Sequence, residues 1–197
     1  MLPILLIAAG AILETVFIAQ SYRRRSARSV VFKTLASLCF VMLGAFNVRL
    51  KGESTFSVMV FWGLVCGMMG DFLLAVRFLW QKTHRLFFVS GTLAFFAGHV
   101  FYIVAILQLC PRAWTYAIPI ALVALGVAGF YSNANEVRAG KVTPFGVIYI
   151  GEVLFMTACA LSGAFQTSSR ALFMFFLGGL CFSLSDNMHV VLSFGKN

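Results

Sequence analysis

Seven runs of apolar residues, each long enough to cross a lipid bilayer, follow one another along this chain with only short gaps between them. A helix rising 1.5 Å per residue needs about 20 such residues to span the hydrocarbon. Runs of that length fall at roughly 2–20, 30–48, 56–76, 86–108, 113–131, 144–165 and 170–194. In lipid every backbone N–H and C=O must find a partner within the protein, so runs of this length read as helices. The gaps hold the charges and helix breakers: RRRSAR at 23–28, RLKGES at 49–54, RFLWQKTHR at 77–85, Pro111-Arg112, SNANEVRAGK at 132–141 and QTSSR at 166–170. None is long enough for a soluble domain. The expected fold is an all-α integral membrane protein of about seven transmembrane helices, forming a single bundle over residues 1–197.

Composition agrees and removes other classes. The chain is 61% hydrophobic and 11% charged, against about 45–50% and 25% in soluble domains. Its net charge of +9 is no sign of nucleic-acid binding, because the basic residues lie almost wholly in the gaps between apolar runs. The five cysteines (Cys39, Cys66, Cys110, Cys159 and Cys181) show no CxxC spacing. They read as packing residues. The first apolar run lacks a basic start and carries Glu14, so it reads as a retained helix and not as a cleaved signal.

Lys and Arg also orient the chain. Arg23, Arg24, Arg25, Arg28, Arg77, Lys82, Arg85, Arg138, Lys141 and Lys196 fall on one side, and Arg49, Lys51, Arg112 and Arg170 on the other. That bias of ten to four puts the N-terminus outside and the first loop in the cytoplasm. A bacterial inner membrane, or else an internal eukaryotic membrane, is the expected location. Tyr22, Trp80 and Tyr131 then flank the inner interface, with Trp114 and Tyr116 at the outer one.

A shift of 115 residues lays Gly63, Cys66, Asp71 and Val76 over Gly178, Cys181, Asp186 and Val191. This points to a parallel repeat of four helices, in which the third and seventh run the same way. The fourth helix would then have a mate after the seventh, yet the sequence stops at Gly195-Lys196-Asn197. Either the mate has been lost or the sequence is part of a longer one.

Ionisable side chains at membrane depth cost at least about 2.5–3.5 kcal/mol each, so by default they mark function or pairing. The chain has Glu14, Lys33, Asp71, His99, Glu152, Asp186 and His189 in such places. Asp71 and His189 lie roughly 8 Å from the inner helix ends, Glu14 roughly 9 Å, and Glu152 and Asp186 roughly 12 Å. Lys33 is nearer the edge, and His99 belongs to the outer half. Most of the set therefore shares one level, as the floor of a single cavity would. Gly63, Gly67, Gly70, Asp71 and Leu74 share a face of the third helix; Gly178, Phe182, Asp186 and His189 share one on the seventh, with Ser185 beside it. Gly91, Phe95, His99 and Tyr102 align on the fourth, and Tyr149 and Glu152 stand one turn apart on the sixth. Glu14 and Glu152 also read as structural partners for Lys33 or a hydroxyl. Lys33 is placed to snorkel, and His189 to make an interhelical hydrogen bond. A zinc site from Asp71, His99, Asp186 and His189 fits by ligand type alone, with no spacing motif behind it. No metal and no cofactor is expected.

The segments GLVCGMMGDFLLA and FFVSGTLAFFAGHVFYIVAI, followed by LGGLCFSLSDNMHVVLSF, resemble the lysoplasmalogenase (YhhN-like) family over roughly residues 25–194. Family features are a Gly-Asp near the end of one helix, an Ala/Ser-His-x-x-Tyr in the next, a late Ser-Asp, and a Lys opening the second helix. Thr34 stands where that Lys is usually followed by Pro. The family pattern has eight helices, and the last, with a Tyr-Tyr/Phe and a Gln or His, looks like the mate of Phe95-Phe96 and His99.

The resemblance implies hydrolysis of the vinyl ether bond of lysoplasmalogens to a fatty aldehyde and glycerophospho-ethanolamine or -choline. It implies Asp71 and Asp186 as the acid and base, without saying which is which. One carboxyl must carry a proton near neutral pH, a state that a low-dielectric site favours. Lys33, His99, Tyr102, Tyr149, Glu152 and His189 are the candidate substrate-binding residues, with Lys33 able to meet the lipid phosphate. A lysophospholipid and the surrounding lipids are the expected partners. The rival reading is a small lipid or solute transporter or scramblase, because a four-helix repeat with acids near the midplane also suits that class. A transporter needs a polar path to both faces, and the acids here keep to one half.

Overall fold

The computed structural model describes residues 1–23, 26–135 and 143–194; the side chains of residues 22, 23, 51, 81, 143 and 189–194 are outside that set. Arg24, Arg25, Arg138, Lys141 and Lys196 of the charge count fall outside the described residues. Among the described residues the helices are α1 (Leu2–Arg23), α2 (Ala27–Lys51), α3 (Thr55–Val76), α4 (His84–Leu109), α5 (Trp114–Ala134), α6 (Thr143–Thr167) and α7 (Arg170–Phe194), with a 3-10 turn at Gln81–Thr83. All seven α-helices are long and apolar enough to cross a membrane. Each expected span lies inside its helix to within a residue or so. The helices overrun the spans by up to about a turn at their polar ends, since a helix continues through the headgroup layer where hydropathy has already fallen.

The gaps end the helices by local chemistry. Ser54 caps α3, its Oγ accepting from the Ser57 N–H at 3.2 Å. Before α2, the Ser26 N–H donates to Ser29 Oγ at 3.1 Å. Gly52 closes α2 with φ +82°, a conformation that β-carbon-bearing residues adopt at a cost.

The chain divides into two compact units, Met1–Ala105 and Ile106–Asn197. In the first, α1 packs on α2 and α2 on α3. The α3–α4 seam is built on glycine. A methyl group added at Gly70 would run into the Phe95 ring at 2.6 Å, one at Gly91 into Leu74 at 2.9 Å, and one at Gly98 would stand 3.0 Å from the Gly63 carbonyl oxygen. Gly63 itself lies under the Tyr102 ring. Without hydrophobic pressure between helices in lipid, such close backbone approach supplies the cohesion. The glycines of the face read from the sequence therefore meet α4, while Asp71, read on the same face, turns its carboxyl to Lys33 and Ser37 of α2.

In the second unit α6 packs against both α5 and α7. Val153, Met156, Cys159, Ala160 and Leu172 are buried there. Outward side chains are apolar: Ile148, Phe130 and Phe165 are all exposed, a distribution that suits lipid and not water. The α7 face differs from expectation. Gly179 and Ser183 meet α6: a methyl at Gly179 would come within 2.8 Å of Thr157 Oγ1, whereas nothing lies within 4 Å of one at Gly178. The reason is periodicity. Seven residues return to about the same side of a helix, so Asp186 shares its side with Gly179, while eight residues drift by about 80°.

Candidate functional site

The Asp71 centre gathers three helices at one level. Lys33 on α2 sits 2.9 Å from Glu14 on α1 and 3.4 Å from Asp71 on α3. Ser37, one turn beyond Lys33, donates to the second Asp71 oxygen and also reaches the Lys33 carbonyl at 3.2 Å. The Lys33 ammonium lies 5.3 Å over the Phe17 ring of α1. Lys33 and Ser37 are i and i+4, so one face of α2 presents both a cation and a hydroxyl to a single carboxylate. Asp71 retains 24% side-chain exposure, which leaves its carboxyl reachable. Glu14 thus partners Lys33, and Lys33 is engaged by two carboxylates at once. Ser37 carries no signal in the sequence by itself. Its spacing from a membrane lysine is the clue that would have found it.

On α4, His99 is buried at 3% exposure, its ring 6.4 Å from Phe95 and 6.5 Å from Tyr102. The Tyr102 phenol lies within electrostatic reach of Asp71 and Cys66. These two aromatic side chains therefore belong to the same unit as Asp71 and line the seam beside it.

The second unit holds its own acid centre. Tyr149 on α6 donates to Asp186 on α7 at 2.6 Å. One turn on from Tyr149 is Glu152, with a carboxyl oxygen buried in the protein. A turn deeper along the same seam the Thr157 and Ser183 hydroxyls stand 3.2 Å apart, so that one donates to the other while the other donates to a carbonyl of its own helix, Val153 or Gly179. Polar groups on facing membrane helices are expected to satisfy one another in this way. The side chain of His189 lies outside the described residues. Among the described residues no group of three or more His, Cys, Asp or Glu is placed to hold a metal ion.

Carboxylates set at membrane depth, each receiving a hydroxyl from the neighbouring helix, and one of them also an ammonium, define a multi-pass helical membrane protein with built acid centres. The YhhN family model matches residues 28–197, and the chain belongs to that family, the family of lysoplasmalogenases. No curated protein and no solved structure matches it. The matched region contains Lys33, Ser37, Asp71, Tyr149 and Asp186; α1 and Glu14 precede it.

Proposed function

We propose that this protein hydrolyses the vinyl ether bond of lysoplasmalogens, with Asp71 and Asp186 as its catalytic carboxyl groups. The observation that carries this reading is the Asp71 centre: a membrane carboxylate placed between an ammonium and a hydroxyl donor within the region matched by the family. We assign the base's part to Asp71, which holds both an ammonium and a hydroxyl, and the acid's part to Asp186.

The reaction then balances. The Asp186 carboxyl gives its proton to the outer vinyl carbon, and the ether oxygen shares the positive charge as an oxocarbenium ion. The Asp71 carboxylate steadies that charge and takes a proton from the water that adds to it, giving a hemiacetal. In the collapse, Asp71 returns its proton to the departing glycerol oxygen and Asp186 takes the hemiacetal hydroxyl proton. Aldehyde and glycerophospho-alcohol leave, and both carboxyl groups are restored. Tyr149 orients Asp186 through its phenol, Ser37 orients Asp71, and His99 and Tyr102 shape the wall beside Asp71. Glu152 extends the polar lining near Asp186, and His189 is a further candidate for binding substrate.

The test is to incubate the purified protein in detergent with a 1-alkenyl lysophospholipid and measure aldehyde. Release that depends on both aspartates supports the proposal, and none under conditions that preserve the fold overturns it. The internal repeat supports a second reading, a small lipid transporter. Under that reading, reconstituted vesicles would move labelled lipid between leaflets without aldehyde appearing.

A further inference from the structure

Lys33 is held from two sides, and unequally. Its ammonium stands 2.9 Å from Glu14 of α1, within the span of a charge-assisted hydrogen bond, and 3.4 Å from Asp71 Oδ1 of α3, beyond that span. We propose that Glu14 is a positioning residue of the hydrolytic site: it holds the Lys33 ammonium back toward α1 and so keeps Asp71 Oδ1 open to the attacking water. This inference rests on the hydrolase reading and names what keeps the base of that site available.

The hold is built on one side of α1. Glu14 and Phe17 are i and i+3, and the ammonium lies 5.3 Å over the Phe17 ring as well as against the Glu14 carboxylate. Carboxylate and ring face both attract a cation. Because α1 packs on α2, Glu14 stays within reach of the Lys33 side chain. On the α3 side the Ser37 hydroxyl already occupies Asp71 Oδ2. That leaves Oδ1, the oxygen facing Lys33, as the one for water.

Removing the Glu14 charge alters this balance. Lys33 then keeps Asp71 as its paired carboxylate, and an ammonium at membrane depth closes on the partner that remains, since an unpaired charge there is costly. A tight pair covers Oδ1, and water can give up its proton to that oxygen only after the ammonium is displaced. Glu14 itself acts only through Lys33. It lies ahead of residues 28–197, the region matched by the family, so the match assigns it no part. The plainer role for Glu14 is to neutralise a membrane lysine. That role predicts a loss of stability and no change at Asp71.

Two readouts separate these roles. The first is turnover of a 1-alkenyl lysophospholipid by the purified full chain. Glu14→Gln should lower kcat about fivefold or more and leave KM within about twofold, because the freed ammonium obstructs the chemical step and not binding. Glu14→Asp keeps the charge and should recover part of the loss. In a Lys33→Met background the same Glu14→Gln change should alter kcat by less than about twofold, since no ammonium is left to close on Asp71.

The second readout needs no turnover. Dicyclohexylcarbodiimide, a membrane-soluble reagent for carboxyl groups, should label the peptide carrying Asp71 about threefold or more slowly in Glu14→Gln than in the parent protein, because a tight ammonium pair shields the carboxyl. With Lys33→Met added, labelling should be no slower than in the parent. An unchanged kcat in Glu14→Gln, labelling of Asp71 as fast as in the parent, or a loss of kcat as large without Lys33 as with it would each overturn the assignment. If the parent protein forms no aldehyde while labelling follows the expected pattern, the hold on Lys33 stands and the hydrolase reading falls.

Discussion

In Met1–Ala105 the aspartate of α3 meets an ammonium and a serine hydroxyl; in Ile106–Asn197 the aspartate of α7, 115 residues later, meets a tyrosine phenol. The helices that carry them begin at Thr55 and Arg170, also 115 residues apart, and α2 and α6 begin within a residue of the same spacing. In each unit the middle helix of a trio supplies the hydroxyl to the aspartate of the next. The donors differ in register, since Ser37 falls on Glu152 and Tyr149 on Thr34, and so does the cation. The position matching Lys33 in this register is Ile148, which is exposed to lipid. One carboxylate thus meets a cation and a hydroxyl and the other a neutral phenol, and under the proposed function that difference is what divides acid from base.

The largest effect should come from removing either carboxyl. Asp71→Asn and Asp186→Asn keep shape but lose proton transfer, so each should lower aldehyde release by about 10²–10⁴-fold with an unchanged elution profile in detergent. Near-normal turnover in one of them would break the division of labour on that side.

Removing the cation probes what distinguishes the two centres. Lys33→Met leaves Glu14 and Asp71 close together without their shared ammonium, and should cost about 1–2 kcal/mol of stability after allowance for partial exposure. Ile148→Ala, at the matching place, should change thermal stability by about 0.5 kcal/mol or less, because its side chain faces lipid. Equal effects at the two positions would show that the ion pair carries no structural weight.

The seams sharpen the comparison further. Gly70→Ala drives a methyl into Phe95 and should destabilise by about 1–3 kcal/mol, as overpacking does, whereas Gly178→Ala has open space and should be neutral. Among the site residues the smallest effects belong to the hydroxyls. Ser37→Ala and Tyr149→Phe each remove one hydrogen bond to an aspartate, worth about 1 kcal/mol, and should reduce turnover by about three- to tenfold.

How much of this was legible in sequence follows from the physics. Helix positions were plain because the bilayer imposes length, and charge and breakers mark the ends. The α3 face that meets α4 was plain because glycines recur on it at helical spacing. On α7 the spacing from Asp186 through Phe182 reaches Gly178, and only packing against Thr157 and Met156 shows that it is Gly179 whose Cβ position is closed. Ser37 was invisible because a lone serine in an apolar run satisfies its own helix carbonyl as easily as a distant carboxylate. Arg77 counted in the sequence only as a gap charge, yet it is buried with its guanidinium carbon over the Phe78 and Phe88 rings.

The central claim is that a carboxyl group protonates the outer vinyl carbon before water captures the ether carbon. Turnover of a 1-alkenyl lysophospholipid by the purified protein in heavy water, with the aldehyde trapped as it forms, reads that step directly. The account predicts one deuterium on the carbon next to the carbonyl, and loss of this product in Asp186→Asn. Aldehyde without that deuterium, or labelled aldehyde formed at the normal rate by Asp186→Asn, would contradict it.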